Sequence, residues 1–414
     1  MVPGFVRDSR SFRKSLQIGT CKSRFFWVYF ERYKIIERRV FMSNKKLGFG
    51  LMRLPLLDPN DDGSIDMEQM KQMVDSFLEQ GFTYFDTAWM YCGGKSEEAA
   101  KEALISRHPR DSFTLTTKLP SYMLKKEGDR EWLFQEQLRR TGAGYFDYYW
   151  LHDVNSESVK NFDRLHCWDF IQEKKAQGLV RHIGFSYHDG PELLDQLLTA
   201  HPEIEYVQLQ LNYLDWDSLG VQSRKCYEVA TKHGKPVIVM EPVKGGTLAK
   251  VPEKLEQMFK SREPEMSVPS WAIRFAASLD NVMVVLSGMS NMEQLLDNTG
   301  YMRDFRPLNE EEQGLMRVAA DIINDNITVP CTGCSYCTVN CPRNIAIPKY
   351  FSLYNLDLQE AKEKDWTPQG GYYERLTLEH GKASDCIKCG RCEAMCPQHL
   401  PIRKLLEDVA AHFE

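Results

Sequence analysis

Asp86, Tyr91, Lys118 and His152 are the residues whose types and spacing best suit them to chemistry. Each lies at or just past the carboxyl end of an apolar stretch that reads as a strand: Thr83–Thr87, Phe113–Leu119 and Phe146–His152. Functional groups of α/β folds gather at such ends. Any one of the four alone reads better as a solvated or hydrogen-bonded side chain. Together they have complementary roles. A tyrosine titrates at about 10, too high for easy proton exchange near neutrality. An ammonium beside it, Lys118, favours the phenolate and is expected to lower that value, while Asp86 pairs with and holds the lysine. His152 can hydrogen-bond a carbonyl oxygen and orient it. Such a set fits carbonyl reduction, with hydride arriving at carbon while Tyr91 protonates oxygen.

The elements that must position these groups alternate regularly. Strand candidates at Leu47–Leu54, Thr83–Thr87, Phe113–Leu119, Phe146–His152, Val180–Ser186, Glu205–Leu211, Pro236–Met240 and Val282–Leu286 are each followed by a helical pattern. In Asp66–Gln80, for example, Met70, Met73, Val74, Phe77 and Leu78 recur at helical spacing before Gly81. Ser96 is the expected N-cap of a helix to Ile105, with Glu97 and Glu98 in its first turn, and Phe162–Gln177 reads as one helix stopped by Gly178. Eight such units over about 250 residues are what a (β/α)8 barrel needs. A doubly wound open sheet is the alternative, but no Gly-x-Gly-x-x-Gly follows the first strand. The expected architecture is α/β, a (β/α)8 TIM barrel followed by a small, mainly helical second domain.

The second part is announced by cysteines. Cys331-x2-Cys334-x2-Cys337-x3-Cys341-Pro342 recurs as Cys386-x2-Cys389-x2-Cys392-x3-Cys396-Pro397. This is the spacing of the bacterial two-cluster ferredoxin run, in which the fourth cysteine reaches the other cluster. On that pattern Cys331, Cys334, Cys337 and Cys396 hold one [4Fe–4S] cluster, and Cys386, Cys389, Cys392 and Cys341 the other. Zinc is the competing reading of any Cys-x-x-Cys, but two identical runs without ligand-spaced histidines favour clusters. The remaining Cys21, Cys92, Cys167 and Cys226 read as packing or surface residues. The 44 residues between the runs carry a helix candidate at Lys349–Glu363, and Ile402–Phe413 is another. The expected domains are 42–308 for the barrel, 309–329 for a helical connector and 330–414 for the dicluster module.

Phe85-Asp86-Thr87-Ala88…Tyr91, Thr117-Lys118, Leu151-His152, Gly184-Phe185-Ser186, Val207-Gln208 and Ser287-Gly288…Glu293-Gln294…Asp297-Asn298 together resemble the aldo-keto reductases. The resemblance spans about Leu47 to Gly300 and implies that Asp86, Tyr91, Lys118 and His152 are the family's catalytic tetrad. It further implies a nicotinamide cofactor, usually NADP, across the barrel mouth. Ser186 and Gln208 would hold its carboxamide. Val243, Lys244 and Gly245 would line the pyrophosphate path, and Gly288, Ser290, Gln294 and Asn298 the adenosine end. The chain departs from the pattern at Tyr187, where Asn is usual, at Met240, in place of a stacking aromatic, and at Ser290 and Gln294, where cations are common. A 2′-phosphate needs cationic donors, so NADP(H) and NAD(H) both stay open. Lys244 reads either as a phosphate contact or as a solvated loop lysine. Trp89 and Trp132 are candidate pocket walls or packing residues. The whole looks like the ferredoxin-fused aldo-keto reductases of anaerobic microbes.

Composition bounds the rest. A net charge of −6 gives no support for nucleic-acid binding, and 43% hydrophobic with 27% charged residues describes a globular protein. Twelve cysteines, eight of them in two clusters, point to metal in a reducing cytoplasm. Residues 1–41 hold ten Lys and Arg against three Asp and Glu, leaving 42 against 55 in the remainder, a net of −13. Met42-Ser43-Asn44 resembles an ordinary start, so 1–41 is expected to be an extension with no role in the fold; a transit peptide is the other reading. The run Phe25–Phe30 is too short to span a membrane. The expected partners are a small carbonyl or alcohol substrate and a redox protein. Hydride exchange moves two electrons and a cluster moves one, which normally calls for a flavin; no flavin fingerprint is present. A carbonyl reductase with a cluster relay, an electron-transfer protein on a barrel scaffold, and purely structural clusters are therefore three readings of the whole, of which the first is preferred.

Overall fold

The computed structural model describes residues 45–414 apart from 60, 325–327, 330, 332, 334, 340, 360–365 and 397–398. The expected extension 1–41, Cys21 and Cys334 lie outside the described residues. Eight strands close into a parallel barrel in chain order: β1 (Leu47–Gly50), β2 (Tyr84–Asp86), β3 (Thr114–Pro120), β4 (Phe146–Val154), β5 (Val180–Tyr187), β6 (Tyr206–Gln210), β7 (Val237–Met240) and β8 (Val282–Ser287). The surrounding helices are α1 (Met67–Glu79), α2 (Ser96–Ala100), α3 (Gly128–Thr141), α4 (Ser158–Arg164), α5 (Cys167–Ala176), α6 (Pro191–Ala200), α7 (Ser223–Lys232), α8 (Glu253–Arg262), α9 (Val268–Ala277) and α10 (Met292–Arg303).

The period-two alternation of strand side chains explains what each face carries. Phe85, Leu115, Tyr149 and Leu151 join the large core between strands and helices. Tyr84, Tyr148, Trp150, Tyr206, Ile238, Val284 and Leu286 form a separate cluster that fills the barrel interior. Trp150 leaves no room on the next strand: a Cβ at Gly184 would lie 2.1 Å from the Trp150 ring, so that position needs glycine. One step further along the same inward-facing rows come Asp86, Lys118, His152, Ser186 and Gln208. The polar set is thus the layer resting on the aromatic plug.

Four local expectations change. The first strand stops at Gly50. Ser96 is not an N-cap: Lys95 holds that position, and the Ser96 hydroxyl donates to the Leu51 carbonyl (2.8 Å) and meets Thr87 Oγ1 (2.8 Å). The helix then widens into a π turn over Lys101–Ile105. Phe162–Gln177 is two helices, because His166 adopts φ +50° between α4 and α5.

After α11 (Glu310–Asn324) come α12 (Tyr336–Val339), α13 (Ile347–Gln359), α14 (Pro368–Glu379), α15 (Arg391–Ala394) and α16 (Ile402–Phe413). The sequence reading missed α14. This helical module shares a hydrophobic core with the loops after β6 and β7, joining Tyr213, Leu214, Val221 and Leu248 to Leu353 and Tyr372. The fit is close: a Cβ at Gly220 would stand 2.9 Å from Leu353 Cδ2, and Ser218 Oγ lies 3.2 Å from Ser352 Oγ. The module therefore sits against the carboxyl-end face, where the polar layer opens. Among the described residues, no helix is long and apolar enough to cross a membrane.

Candidate active site and cysteine cradle

Lys118 is the hub of the polar layer. Its ammonium is fully buried and donates to Asp86 Oδ1 (2.5 Å), the Thr87 carbonyl (2.9 Å) and the Tyr91 hydroxyl (3.3 Å). Asp86 also accepts from Gln208 Nε2 at 3.4 Å. The His152 and Tyr91 rings stand nearly perpendicular to each other, with centroids 6.1 Å apart. The four tetrad candidates thus converge, although they come from three strand ends.

Their electrostatics refine the expectation from sequence. Burial pulls the Lys118 ammonium downward, but Asp86 and Tyr91 outweigh it and leave its pKa above the ordinary lysine value. The expected lowering of Tyr91 is not the net result. Burial raises the phenol more than Lys118 lowers it, so Tyr91 rests as a neutral, hydrogen-bonded acid. Burial and the nearby Lys118 charge hold His152 well below the usual histidine range, so it is a neutral donor or acceptor.

A second, hidden shell supports the hub. Glu97 is fully buried and accepts from Thr117 Oγ1 (2.8 Å) and Gln137 Nε2 (2.8 Å), and Arg140 pairs with it at 3.3 Å. Arg140 in turn stacks on Trp89 (4.2 Å), which meets the exposed Trp132 with centroids 6.0 Å apart. The sequence showed Glu97 as a first-turn acid; its three partners lie 20 to 43 positions away, and no local signal names them.

Most of the residues expected to hold a cofactor are engaged with the chain itself. Ser186 Oγ accepts from the Asp153 amide (2.8 Å), and Gln208 reaches Asp86. Lys244 is neither a free phosphate contact nor a solvated loop lysine. It is buried and paired with Asp215 at 2.9 and 3.2 Å, and Asp215 also accepts from Gln210 (2.8 Å) and Asn212 (2.7 Å). Asn298 is buried between Ser287 Oγ (2.9 Å) and the Tyr301 hydroxyl (2.6 Å), and Gln294 accepts from the Ser290 amide (2.7 Å). Val243 packs against the core, and the Gly245 amide donates to Glu241 Oε2 (2.6 Å). Gly288 lets the chain pass beside Arg53, whose Cβ would stand 3.1 Å from any Cβ there. Arg53 thus brings a cation to the end where the β8 segment has none. The sequence reading missed it because 235 residues separate it from Gly288.

The module also approaches the mouth. Tyr372 of α14 lies 6.4 Å from the His188 ring, centroid to centroid, and Arg375 lies over the Tyr372 ring at 4.7 Å. Burial, with help from Arg375 and Lys118 and against Asp153, brings the His188 pKa down to about 4.

In the module, Cys341, Cys386, Cys389 and Cys392 line one small pocket with apolar walls that include Ile345 and Leu406. The fourth cysteine of the first run is thereby brought to the first three of the second. Four thiols in an apolar cradle are a donor set that fits an iron–sulfur cluster. Among the described residues, no three His, Cys, Asp or Glu side chains are grouped to hold a single metal ion. Cys331, Cys337 and Cys396 pack against the same core.

A closed eight-stranded parallel barrel with this polar layer and a cysteine-rich helical module defines a two-part redox protein. Residues 46–320 match the Aldo/keto reductase family and residues 330–400 a 4Fe-4S dicluster domain. The chain belongs to the aldo/keto reductase family and carries that C-terminal 4Fe-4S domain. It is 24% identical over 283 residues to the uncharacterized oxidoreductase YqkF of Bacillus subtilis, covering 60% of this chain and 87% of that one. It is 26% identical over 158 residues to aldo-keto reductase AKR2E4 of Bombyx mori, of which it spans half the length (36% of this chain). Among solved structures, an aldo-keto reductase from Klebsiella pneumoniae in complex with NADPH aligns with TM-score 0.53 at 20% identity, covering 66% of this chain and 91% of that one. AKR11C1 of Bacillus halodurans aligns equally well, with TM-score 0.53 at 23% identity, covering the same shares. These structures establish the fold.

Proposed function

We propose that the protein interconverts a small carbonyl compound and its alcohol, using a nicotinamide cofactor, and that two [4Fe–4S] clusters in the module exchange electrons with an external carrier protein. The barrel (42–308), connector (309–329) and module (330–414) are the working parts, and the reducing cytoplasm is the compartment such clusters need. The observation that supports the reading most is the triple engagement of Lys118 by Asp86, Thr87 and Tyr91. A buried phenol next to a charged ammonium can give up its proton and have the resulting phenolate held.

When bound, nicotinamide would supply the hydride for reduction, and Ser186 and Gln208 would hold its amide by exchanging their present partners, the Asp153 amide and Asp86. The chain's own part is proton handling. The carbonyl oxygen is placed between the Tyr91 hydroxyl and the neutral His152 ring. As negative charge grows on that oxygen, Tyr91 transfers its proton to it, and Lys118, kept in place by Asp86, stabilises the phenolate. His152 adds a hydrogen bond from the one N–H of its neutral ring, a proton too weakly acidic to be transferred. The aromatic plug below and the module beside the mouth shield the site from water, which strengthens each of these interactions. In the cysteine module, Cys331, Cys334, Cys337 and Cys396 would hold one cluster and Cys386, Cys389, Cys392 and Cys341 the other. A specific observation favours the second reading, an electron-transfer protein on a barrel scaffold: a carboxylate from the chain itself stands at the Gly245 amide.

The test is anaerobic titration of cluster-loaded protein with NADPH and NADH, reading cluster bleaching, fluorescence quenching and turnover of a panel of aldehydes and ketones. Cofactor binding with carbonyl turnover is expected. Tyr91→Phe should lower kcat by about 10²–10⁴-fold with cofactor affinity unchanged. Absence of nicotinamide binding together with reversible cluster reduction would replace this reading by the scaffold one.

A further inference from the structure

The end of β7 departs from regular geometry at Glu241, a non-glycine residue in the left-handed region with φ +55°. Such a backbone persists where surrounding contacts fix it. Here the Glu241 carbonyl accepts from Asn212 Nδ2 (3.1 Å) and from the Lys244 amide (3.1 Å). Held in this way, the side chain reaches two groups suited to an anion. Its Oε2 accepts from the Gly245 amide at 2.6 Å, and its Oε1 lies 4.0 Å from Arg53 Nη2. Arg53 is itself fixed from β8, because Ser290 Oγ donates to the Arg53 carbonyl (3.1 Å) and Gly288 passes against its side chain. A guanidinium from the loop after β1 and a glycine amide from the loop after β7, facing one spot from either side of β8, form an anion receptor. Lys244, the other cation of this loop, is already paired with Asp215.

We propose that Glu241 occupies, as a built-in carboxylate, the anion site formed by Arg53 and the Gly245 amide, so that the diphosphate of a dinucleotide binds only by displacing it. The inference rests on the nicotinamide reading for the identity of its ligand, but the anion site stands on its own geometry. The carboxylate bonds the amide and sets an opposite charge near the guanidinium, which unmatched would attract any phosphate in the cell. It also sets a threshold. A ligand must replace the carboxylate on both donors and leave Glu241 a place in solvent, which it can reach because its side chain is 21% exposed. Diphosphate does so with two charges against one; a nicotinamide fragment without phosphates has no anion with which to do so.

The experiment titrates full-length, cluster-loaded wild type, Glu241→Gln and Arg53→Met with inorganic pyrophosphate, NADPH and nicotinamide riboside, reading heat and fluorescence rather than turnover. Glutamine can still accept from the Gly245 amide but presents no charge to Arg53. Glu241→Gln is expected to bind pyrophosphate and NADPH at least about tenfold more tightly, with riboside affinity unchanged. Adding Arg53→Met should remove that gain. Pyrophosphate affinity unchanged or weaker in Glu241→Gln, with the thermal transition preserved, overturns the proposal even if NADPH binds. Tighter pyrophosphate binding without binding of NADPH or riboside supports the anion site and instead removes the nicotinamide reading.

Discussion

Two buried lysine–aspartate pairs lie in the carboxyl-end face of this barrel, and they are built for different ends. Lys118–Asp86 and Lys244–Asp215 are both almost wholly shielded, with nitrogen–oxygen distances of 2.5 and 2.9 Å. Around Asp215 the remaining partners are the amides of Gln210 and Asn212, neutral groups that only accept or donate hydrogen bonds. Around Lys118 the remaining partners are the Thr87 carbonyl and a phenol. The first arrangement ties the β6 loop to the β7 loop and makes a floor for the cysteine module, since Tyr213 and Leu214 beside Asp215 belong to the shared core. The second leaves a proton that can move. A buried ion pair is weak evidence for stability in itself; what distinguishes a chemical pair from a structural one is whether a titratable third group touches it.

The largest expected effect breaks that comparison at its centre. Replacing one partner of a buried pair strands the other charge, at a cost of about 3–5 kcal/mol. Lys118→Met and Lys244→Met should therefore lower stability by similar amounts in chemical denaturation. They should differ in kind beyond that. Lys118→Met is expected to remove carbonyl turnover even at temperatures where the protein stays folded. Lys244→Met should loosen the seat of the module, read as faster proteolysis within 330–414 and faster loss of cluster absorbance. Equal effects of the two variants on turnover and on module stability would erase the distinction.

How far the sequence reveals this difference depends on distance along the chain. The barrel is legible because eight strand and helix patterns alternate, and the four tetrad candidates because Asp86, Lys118 and His152 lie at strand ends fixed by period-two alternation and Tyr91 follows just past one. Lys118 announces its role through Thr117-Lys118 at such an end. Lys244 lies in a Gly-containing loop with nothing local to show that its charge turns inward toward Asp215, 29 positions earlier. The same blindness hides Glu97–Arg140 and Arg53–Glu241, contacts made by the closure of the barrel. Ser96 illustrates a local signal overridden: its sequence position invites capping, but burial beside Leu51 and Thr87 gives the hydroxyl nearer partners. Tyr91 shows the limit of reasoning from pairs. Its lysine neighbour was visible, whereas the burial that outweighs it belongs to the assembled mouth.

Double substitution sharpens the comparison with a smaller effect. Lys118→Met with Asp86→Asn, and Lys244→Met with Asp215→Asn, each remove the stranded charge. Both doubles should regain a large part of the stability lost by the single lysine variant, about 1–3 kcal/mol, as a coupling energy in a double-mutant cycle. Turnover should not return with it at Lys118, because a methionine cannot stabilise the Tyr91 phenolate. Recovery of turnover in the Lys118→Met, Asp86→Asn double would mean that the pair acts by shape alone.

The smallest effect is expected at His188, whose surroundings include Lys118 of the first pair. Its ring faces Asp153 from β4, Tyr372 and Arg375 from α14, and the more distant Lys118, and its pKa is lowered to about 4. The unfolded chain binds this proton below the ordinary value of 6.5, whereas the folded chain resists it until about pH 4. The contribution of His188 to stability is thus intact above pH 6.5 and is lost as pH falls from 6.5 to about 4. The loss is at most about 3 kcal/mol, reduced by solvent screening because the ring is not fully shielded. His188→Gln, which cannot take the proton, should flatten this part of the stability profile relative to wild type. Protonation also sets a second cation beside Arg375, so the module should become more sensitive to proteolysis in the same window in wild type but not in the variant. A profile of identical slope in both proteins would move the module's seat away from His188 and onto the Lys244–Asp215 floor alone.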